Sequence, residues 1–258
     1  MPLIKINDPN YCISILGCGW LGLPLAARLL QQGHQVKGST TSQQKMEIIK
    51  NAGIIPYLIK LTCQESQWID FLKTDVLVIL IPLNEIKPFE HLIKVIPSTV
   101  KIIYTSSTAV YLPSPKPINE KNALDTEHPL LLIEQLIQNA RNPSTIIRLA
   151  GLFDQRRHPG RWFINKVLTR PNSPVNLIHL DDCVSIIDKI IANQVWNEIF
   201  NACANEHPLR KDFYARASKS LGNLPPQIKE KNSSIKIIDN QWVKNKLNFS
   251  FLVSLDNF

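Results

Sequence analysis

The sequence predicts an α/β fold with a doubly wound parallel sheet. Short apolar runs alternate from Cys12 onward with stretches of helical period, and each strand–helix unit takes about twenty residues. The runs are near-continuous in Val, Ile and Leu, as in DVLVILI at 75–81. Continuous rather than alternating strands are buried on both faces, which requires helices on both sides of the sheet. In order, strands fall at Cys12–Leu16, Val36–Ser39, Ile54–Ile59, Asp75–Ile81 and Lys101–Ser106. Helices fall between them at Leu21–Gln32, Gln43–Ala52, Gln64–Lys73 and Phe89–Ile96. After the Pro-rich stretch Leu112–Ile118, a long helix is predicted over Thr126–Asn142, cut by Asn142-Pro143 from a strand at Thr145–Leu149.

Residues 1–150 are thus expected to form the sheet-based core. Residues 151–258 are a mixed segment that completes this core and forms a small C-terminal α+β substrate lobe. Its patterns read as a helix near Trp162–Leu168, a strand near Asn176–Ile178, a helix at Asp181–Ala192 and a strand at Glu198–Asn201. Asn223-Leu-Pro-Pro marks a loop.

Composition narrows the function. With 258 residues, 44% hydrophobic and 19% charged, the chain is globular and long enough for a substantial core. No apolar run reaches the roughly 18–20 residues of a membrane span. MPLIKINDPN at the start shows no secretory signal, so the cytoplasm is expected. Cysteines 12, 18, 63, 183 and 203 form no C-x-x-C pair, and the six histidines no H-x-x-x-H pair, so reduced packed thiols and no metal site are expected. The formal charge of +8 favours anionic partners. Its basic residues are scattered without interleaved aromatics, which points to phosphate-bearing small ligands and not to nucleic acid.

The strongest local signal is Gly17-Cys18-Gly19-Trp20-Leu21-Gly22, a G-x-G-x-x-G directly after the first strand and opening the first helix. In this setting the first glycine permits a tight turn, the second lets backbone approach a pyrophosphate, and the third lets helix and strand pack closely. The helix N-terminus supplies N–H groups and partial positive charge. A dinucleotide-binding Rossmann fold follows. No carboxylate occurs from Leu23 to Met46, where an Asp or Glu would hold a ribose 2′-hydroxyl. Ser39, Thr40, Thr41, Ser42 and Lys45 stand there and suit a 2′-phosphate, which favours NADP and leaves NAD open. The same residues also read as an ordinary cap before Gln43. The cofactor-binding set is therefore Gly17, Gly19, Trp20, Leu21, Gly22, Ser39, Thr40, Thr41, Ser42, Lys45 and Pro82.

Several further motifs, taken in order, resemble the extended short-chain dehydrogenase/reductase superfamily, its NAD-dependent epimerase/dehydratase group. They are Gly33-His34-Gln35-Val36, Thr105-Ser106-Ser107-Thr108-Ala109-Val110-Tyr111, Ile147-Arg148-Leu149-Ala150-Gly151-Leu152-Phe153 and Asn176-Leu-Ile-His-Leu-Asp-Asp182. The resemblance implies an oxidoreductase or epimerase in which a Ser or Thr after the fifth strand, here Ser107, works with the Tyr and Lys of Y-x-x-x-K. In that dyad the lysine lowers the tyrosine pKa and the phenol exchanges a proton. Here the dyad is missing. Tyr11, Tyr57, Tyr104, Tyr111 and Tyr214 are followed four residues on by Ile15, Leu61, Thr108, Pro115 and Ser218. If Glu134 matches the acid that follows the family's Lys, Thr126 and Leu130 stand in place of Tyr and Lys.

The departure resembles atypical members of the superfamily. Ser107 and Tyr111 are the catalytic candidates, although the serine can equally cap backbone and the tyrosine can equally be structural. Arg157 and Arg161, in the loop Arg156-Arg157-His158-Pro159-Gly160-Arg161, are substrate-binding candidates suited to phosphate or carboxylate, against the reading of a solvated basic loop. Asp181 and Asp182, beside His179, read as helix-capping. The expected function is reduction or epimerisation of a small sugar-like or carbonyl substrate, without nucleic-acid or membrane partners. The alternative is an NmrA-like regulator that senses the dinucleotide without turnover. By family analogy, the helices at Phe89–Ile96 and Thr126–Asn142 can form a homodimer face.

Overall fold

The computed structural model describes residues 10–61, 68–82, 85–232 and 235–257. Strands β1 (Cys12–Leu16), β2 (Gln35–Thr40), β3 (Ile55–Leu58), β4 (Val76–Ile79), β5 (Lys101–Ser107), β6 (Ser144–Leu149) and β10 (Ile199–Ala202) form a sheet of order β10-β6-β5-β4-β1-β2-β3. The β1–β2, β1–β4, β2–β3 and β4–β5 pairs are parallel. This is the doubly wound sheet expected from the continuous apolar strands, and all of β4 is fully buried. The order reverses between β1 and β4, and ligands of such sheets gather outside the carboxyl ends of the strands at that switch point.

Two compact units divide the chain. The first comprises 1–106, 126–146 and 184–198, and the second 107–125, 147–183 and 199–258. A single cut at 150 does not describe them: 107–125 and 147–150 go with the second unit and 184–198 with the first.

In the first unit, α1 (Gly22–Gln31) and α2 (Gln43–Asn51) each hand the chain to the next strand through a left-handed glycine, Gly33 at φ +88° and Gly53 at φ +79°. A β-carbon is disfavoured there, so glycine is the residue that ends the helix. The short α3 (Trp68–Phe71) covers only the end of the helix expected at Gln64–Lys73; the rest of that expectation, and Cys63, lie outside the described residues. Helix α4 (Ile86–Val95) packs beside α5 (Pro129–Gln138). The latter is shorter than Thr126–Asn142 because Pro129 sits in its first turn, where proline needs no N–H partner, with His128 as its cap. Buried Glu134 fastens α5 to β5, its Oε1 accepting from Ser106 Oγ at 2.5 Å.

In the second unit, β7 (Gly151–Phe153) pairs with β9 (Leu177–His179), and β8 (Val167–Thr169) with β11 (Gln227–Lys229). The helix expected near Trp162–Leu168 is absent. A 3₁₀ turn at Pro159–Arg161 and strand β8 take its place, and Asn165 at φ +57° breaks any helical run. Trp162 and Phe163 pack against a core of Phe153, Leu168, Val175, Leu177, Phe213 and Tyr214. Helices α6 (Leu180–Ala192), which belongs to both units, α7 (Arg210–Lys219) and α8 (Gln241–Leu247) complete the fold. No described helix is long and apolar enough to cross a membrane.

Candidate functional site

In the first unit the glycine loop joins β1 to α1, and its three glycines have different reasons to be there. Gly17 has φ +96°, and an added β-carbon would lie 2.9 Å from Ile81 Cγ2. At Gly22 it would lie 2.6 Å from the Gly17 carbonyl oxygen, so strand and helix could not approach. Gly19 differs from both: its β-carbon would meet nothing within 4 Å among the described residues. Internal packing thus accounts for two glycines, and open space in front of the third fits a dinucleotide diphosphate, which needs bare backbone at that position. Trp20 and Leu21 follow in the turn that leads into the helix.

Strand β2 braces this loop. Ser39 Oγ accepts from the Gly17 N–H at 2.9 Å and Ser39 O accepts from the Cys18 N–H at 2.8 Å. Ser39 is buried, so its hydroxyl is engaged behind the loop. Lys37 is likewise turned to backbone, donating to the carbonyls of Asp70 and Lys73. Beyond them, Thr40 Oγ1 accepts from the Ser42 N–H at 3.2 Å, Thr41 and Lys45 are exposed, and Ser42 stands at the N-cap of α2 without a side-chain bond to the helix. Pro82 is exposed just past β4, next to Ile81. The Cys18 thiol inside the loop is buried and its pKa is pushed up to about 12 by desolvation, which makes it unreactive.

In the second unit Ser107 ends β5 and caps the 3₁₀ turn Thr108–Val110, its Oγ accepting from the Ala109 N–H at 3.1 Å. That bond uses a lone pair and leaves the hydroxyl proton. Ser107 also lines a cavity of about 260 Å³ together with Asn176, Arg210, Tyr214 and Lys236. Tyr111 is not among the residues lining it. Its buried phenol donates to Asn201 Oδ1 at 2.7 Å and accepts from Arg148 Nη1 at 2.8 Å, with the guanidinium also stacked on the ring. Burial pushes the phenol pKa up to about 12, outweighing the lowering by Arg148. Glu120 joins this network through the Asn201 N–H, 2.7 Å from its Oε1.

Arg157 and Arg161 also lie away from the lining. The Arg157 N–H donates to Asp154 Oδ1 and Arg161 Nη1 to the carbonyls of Gln155 and Arg156, so the loop bonds to itself. Its Gly160 packs so closely on α7 that a β-carbon would stand 2.0 Å from Ala217 O. His179 caps α6 through the Asp181 N–H, while buried Asp182 accepts from the Leu252 N–H at 2.7 Å. Among the described residues no group of three or more His, Cys, Asp or Glu could hold a metal. Arg210 and Lys236 carried no sequence signal, since neither sits in a surrounding motif.

The fold is shared with solved structures. The chain is similar to a short-chain dehydrogenase/reductase superfamily protein from Agrobacterium tumefaciens with bound NAD, at 16% identity over 95% of this chain and 94% of that one, with a TM-score of 0.79. It is also similar to UDP-glucuronic acid 4-epimerase from Bacillus cereus in complex with NAD (18%, 95% and 94%, 0.78) and to a functionally unknown conserved protein from Silicibacter pomeroyi DSS (21%, 94% of each, 0.79). These likenesses show a shared fold. No protein-family model matches the chain. Protein YeeZ of Escherichia coli (strain K12) is 34% identical over 260 aligned positions, covering 93% of this chain and 95% of the relative, and the chain belongs to the family of that protein.

Proposed function

We propose that the chain binds a nicotinamide dinucleotide on its glycine loop and acts as a reductase or epimerase on a small carbonyl or hydroxyl substrate. The observation that carries this is Gly19, where nothing among the described residues asks for glycine and a diphosphate does. Solved structures of the same fold hold NAD, which supports the reading. Gly17, Gly19, Trp20, Leu21 and Gly22 at the positive end of α1, with Pro82, would hold its diphosphate. Thr40, Thr41, Ser42 and Lys45 offer hydroxyls and a cation, and no carboxylate, to the adenosine ribose, so NADP is preferred to NAD. Ser39 contributes by holding the loop.

Ser107 is the catalytic residue of this reading. With one lone pair held by Ala109, its hydroxyl proton is turned to a substrate oxygen and orients it. A nicotinamide dinucleotide, when bound, would supply hydride-transfer chemistry. Tyr111 is a positioning residue, its phenol engaged by Arg148 and Asn201 and its carbonyl by Lys236. One observation favours a second reading, a dinucleotide sensor without turnover: no tyrosine in the sequence is followed four residues on by a lysine.

Calorimetric titration with NADPH, NADP, NADH and NAD, followed by a redox screen on a carbonyl and sugar panel, tests the proposal. The NADP forms are expected to bind more tightly. Gly19→Leu is expected to weaken binding at least about tenfold, roughly 1.4 kcal/mol, with an unchanged unfolding midpoint. Absence of binding overturns both readings, and binding without turnover selects the sensor.

A further inference from the structure

A second cavity of about 340 Å³ adjoins the one that Ser107 lines and shares Asn176, Arg210 and Lys236 with it. Thr169, Arg170, Ser173 and Lys231 line the rest of its polar wall. Four of these side chains are cationic, and neither lining contains an Asp or Glu among the described residues. Unbalanced positive charge in a concave site attracts anions.

Ser173 supplies an independent pointer. It is 6% exposed, and its Oγ is buried with no hydrogen-bond partner among the described residues. Buried hydroxyls ordinarily have one, and leaving one unpaired is costly, so a ligand atom is the natural complement. Arg210 is held ready beside it. Its guanidinium lies over the rings of Tyr214 and Phe163, at 5.3 and 5.7 Å, and Nε donates to Thr169 O at 3.3 Å. That bond uses a single N–H of a five-donor fork. Lys236 is half-buried and donates to Tyr111 O at 3.0 Å, one of three ammonium donors. Asn176 fixes this lysine's segment, donating to Lys236 O at 2.7 Å and accepting from the Ile238 N–H at 3.0 Å. Desolvation lowers the Lys236 pKa, a cost that a bound anion offsets.

We infer that Arg210, Lys236 and Ser173 form a binding site for a phosphate monoester group, so that the substrate is a small phosphorylated carbonyl or hydroxy compound with its unphosphorylated end at Ser107. A fork, an ammonium and a hydroxyl are three donors of different kinds. They match the three terminal oxygens of a phosphate better than the two of a planar carboxylate, and a phosphate carries about −1.5 to −2 charge at neutral pH. Cavities of this size lie at the small end of ligand sites, which suits a short-chain compound. The inference rests on the proposed function only for the role of Ser107; the anion site stands on its own residues.

Titration of the full chain by calorimetry with glycerol 3-phosphate, glycerol, inorganic phosphate and malonate tests it. Glycerol 3-phosphate is expected to bind at least tenfold more tightly than glycerol or malonate, and more tightly than inorganic phosphate. Arg210→Met, Lys236→Met and Ser173→Ala are each expected to weaken it at least threefold, with NADPH affinity unchanged. Gly19→Leu is expected to leave glycerol 3-phosphate affinity unchanged, which separates this site from the glycine loop. If Arg210→Met fails to fold, because its guanidinium packs on two rings, the Lys236 and Ser173 variants decide. No preference for glycerol 3-phosphate over glycerol, or equal binding by the folded variants, overturns the inference. Loss of dinucleotide binding alone overturns only the proposed function.

Discussion

Ser39 shows how one hydroxyl can be read in two ways that a single substitution separates. If it touched a 2′-phosphate, its removal would erode the preference for NADP over NAD and leave stability alone. In the structure its Oγ instead accepts from the Gly17 N–H behind the glycine loop. Ser39→Ala leaves that part-buried N–H without its partner, at a cost of about 1 kcal/mol. A lower unfolding midpoint is expected, together with weaker binding of NADP and NAD alike. Differential titration of the two dinucleotides checks it, and a selective loss of NADP affinity would return Ser39 to the ligand. Tyr111 poses the same question in the second unit. Tyr111→Phe removes the bonds that the phenol makes with Arg148 Nη1 and Asn201 Oδ1 in a buried network. Destabilisation of about 1–3 kcal/mol in urea unfolding is expected. A fully stable variant that had lost turnover would make the phenol catalytic.

The strands and the helices of the first unit were legible because their signals are local. Val/Ile-rich runs and left-handed glycines at 33 and 53 act within a few residues of the backbone they shape. The glycine loop was legible for the same reason, its six residues being contiguous. The stretch Trp162–Leu168 misleads because its apolar residues serve a tertiary core: Trp162 and Phe163 lean on the Phe213–Tyr214 cluster while Asn165 turns left-handed. The cavity was illegible because Ser107, Ser173, Arg210 and Lys236 come from four distant parts of the chain, and no spacing rule joins them. Close packing of the 3₁₀ turn on α7 was equally hidden, since Gly160 reads as an ordinary loop glycine. Gly160→Ala would press a methyl against Ala217 O, and overpacking of this kind costs about 1–3 kcal/mol. Faster amide exchange across α7, residues 210–219, is the expected signature. Unchanged exchange there would mean that the turn and helix can separate freely.

Stability as a function of pH collects four buried or half-buried groups of the second unit whose contributions oppose one another. His158 and His207 are held below the ordinary histidine value of 6.5, by burial first in both cases and by Arg161 as well at His158. The unfolded chain takes up protons on them before the folded one does. Their contribution is therefore complete above about pH 6.5 and is lost as pH falls through that value toward their folded pKa. Glu120 and Asp182 are raised by burial above 4.5 and 3.8, respectively. The folded state holds their protons more readily, so their penalty is present at neutral pH and is relieved as pH falls. A formal charge of +8 adds self-repulsion that grows on acidification. The unfolding midpoint is thus expected to fall from pH 7.5 to 5.5, steepest just below 6.5, and to flatten where the two carboxylates begin to protonate. Asn at both histidine positions keeps an acceptor for the Gly160 N–H and a donor for Val175 O, which are the bonds His158 and His207 make now. In that double variant the decline between pH 7.5 and 5.5 should shrink while the low-pH flattening persists. An undiminished decline would assign the acid sensitivity to charge repulsion and not to the two histidines.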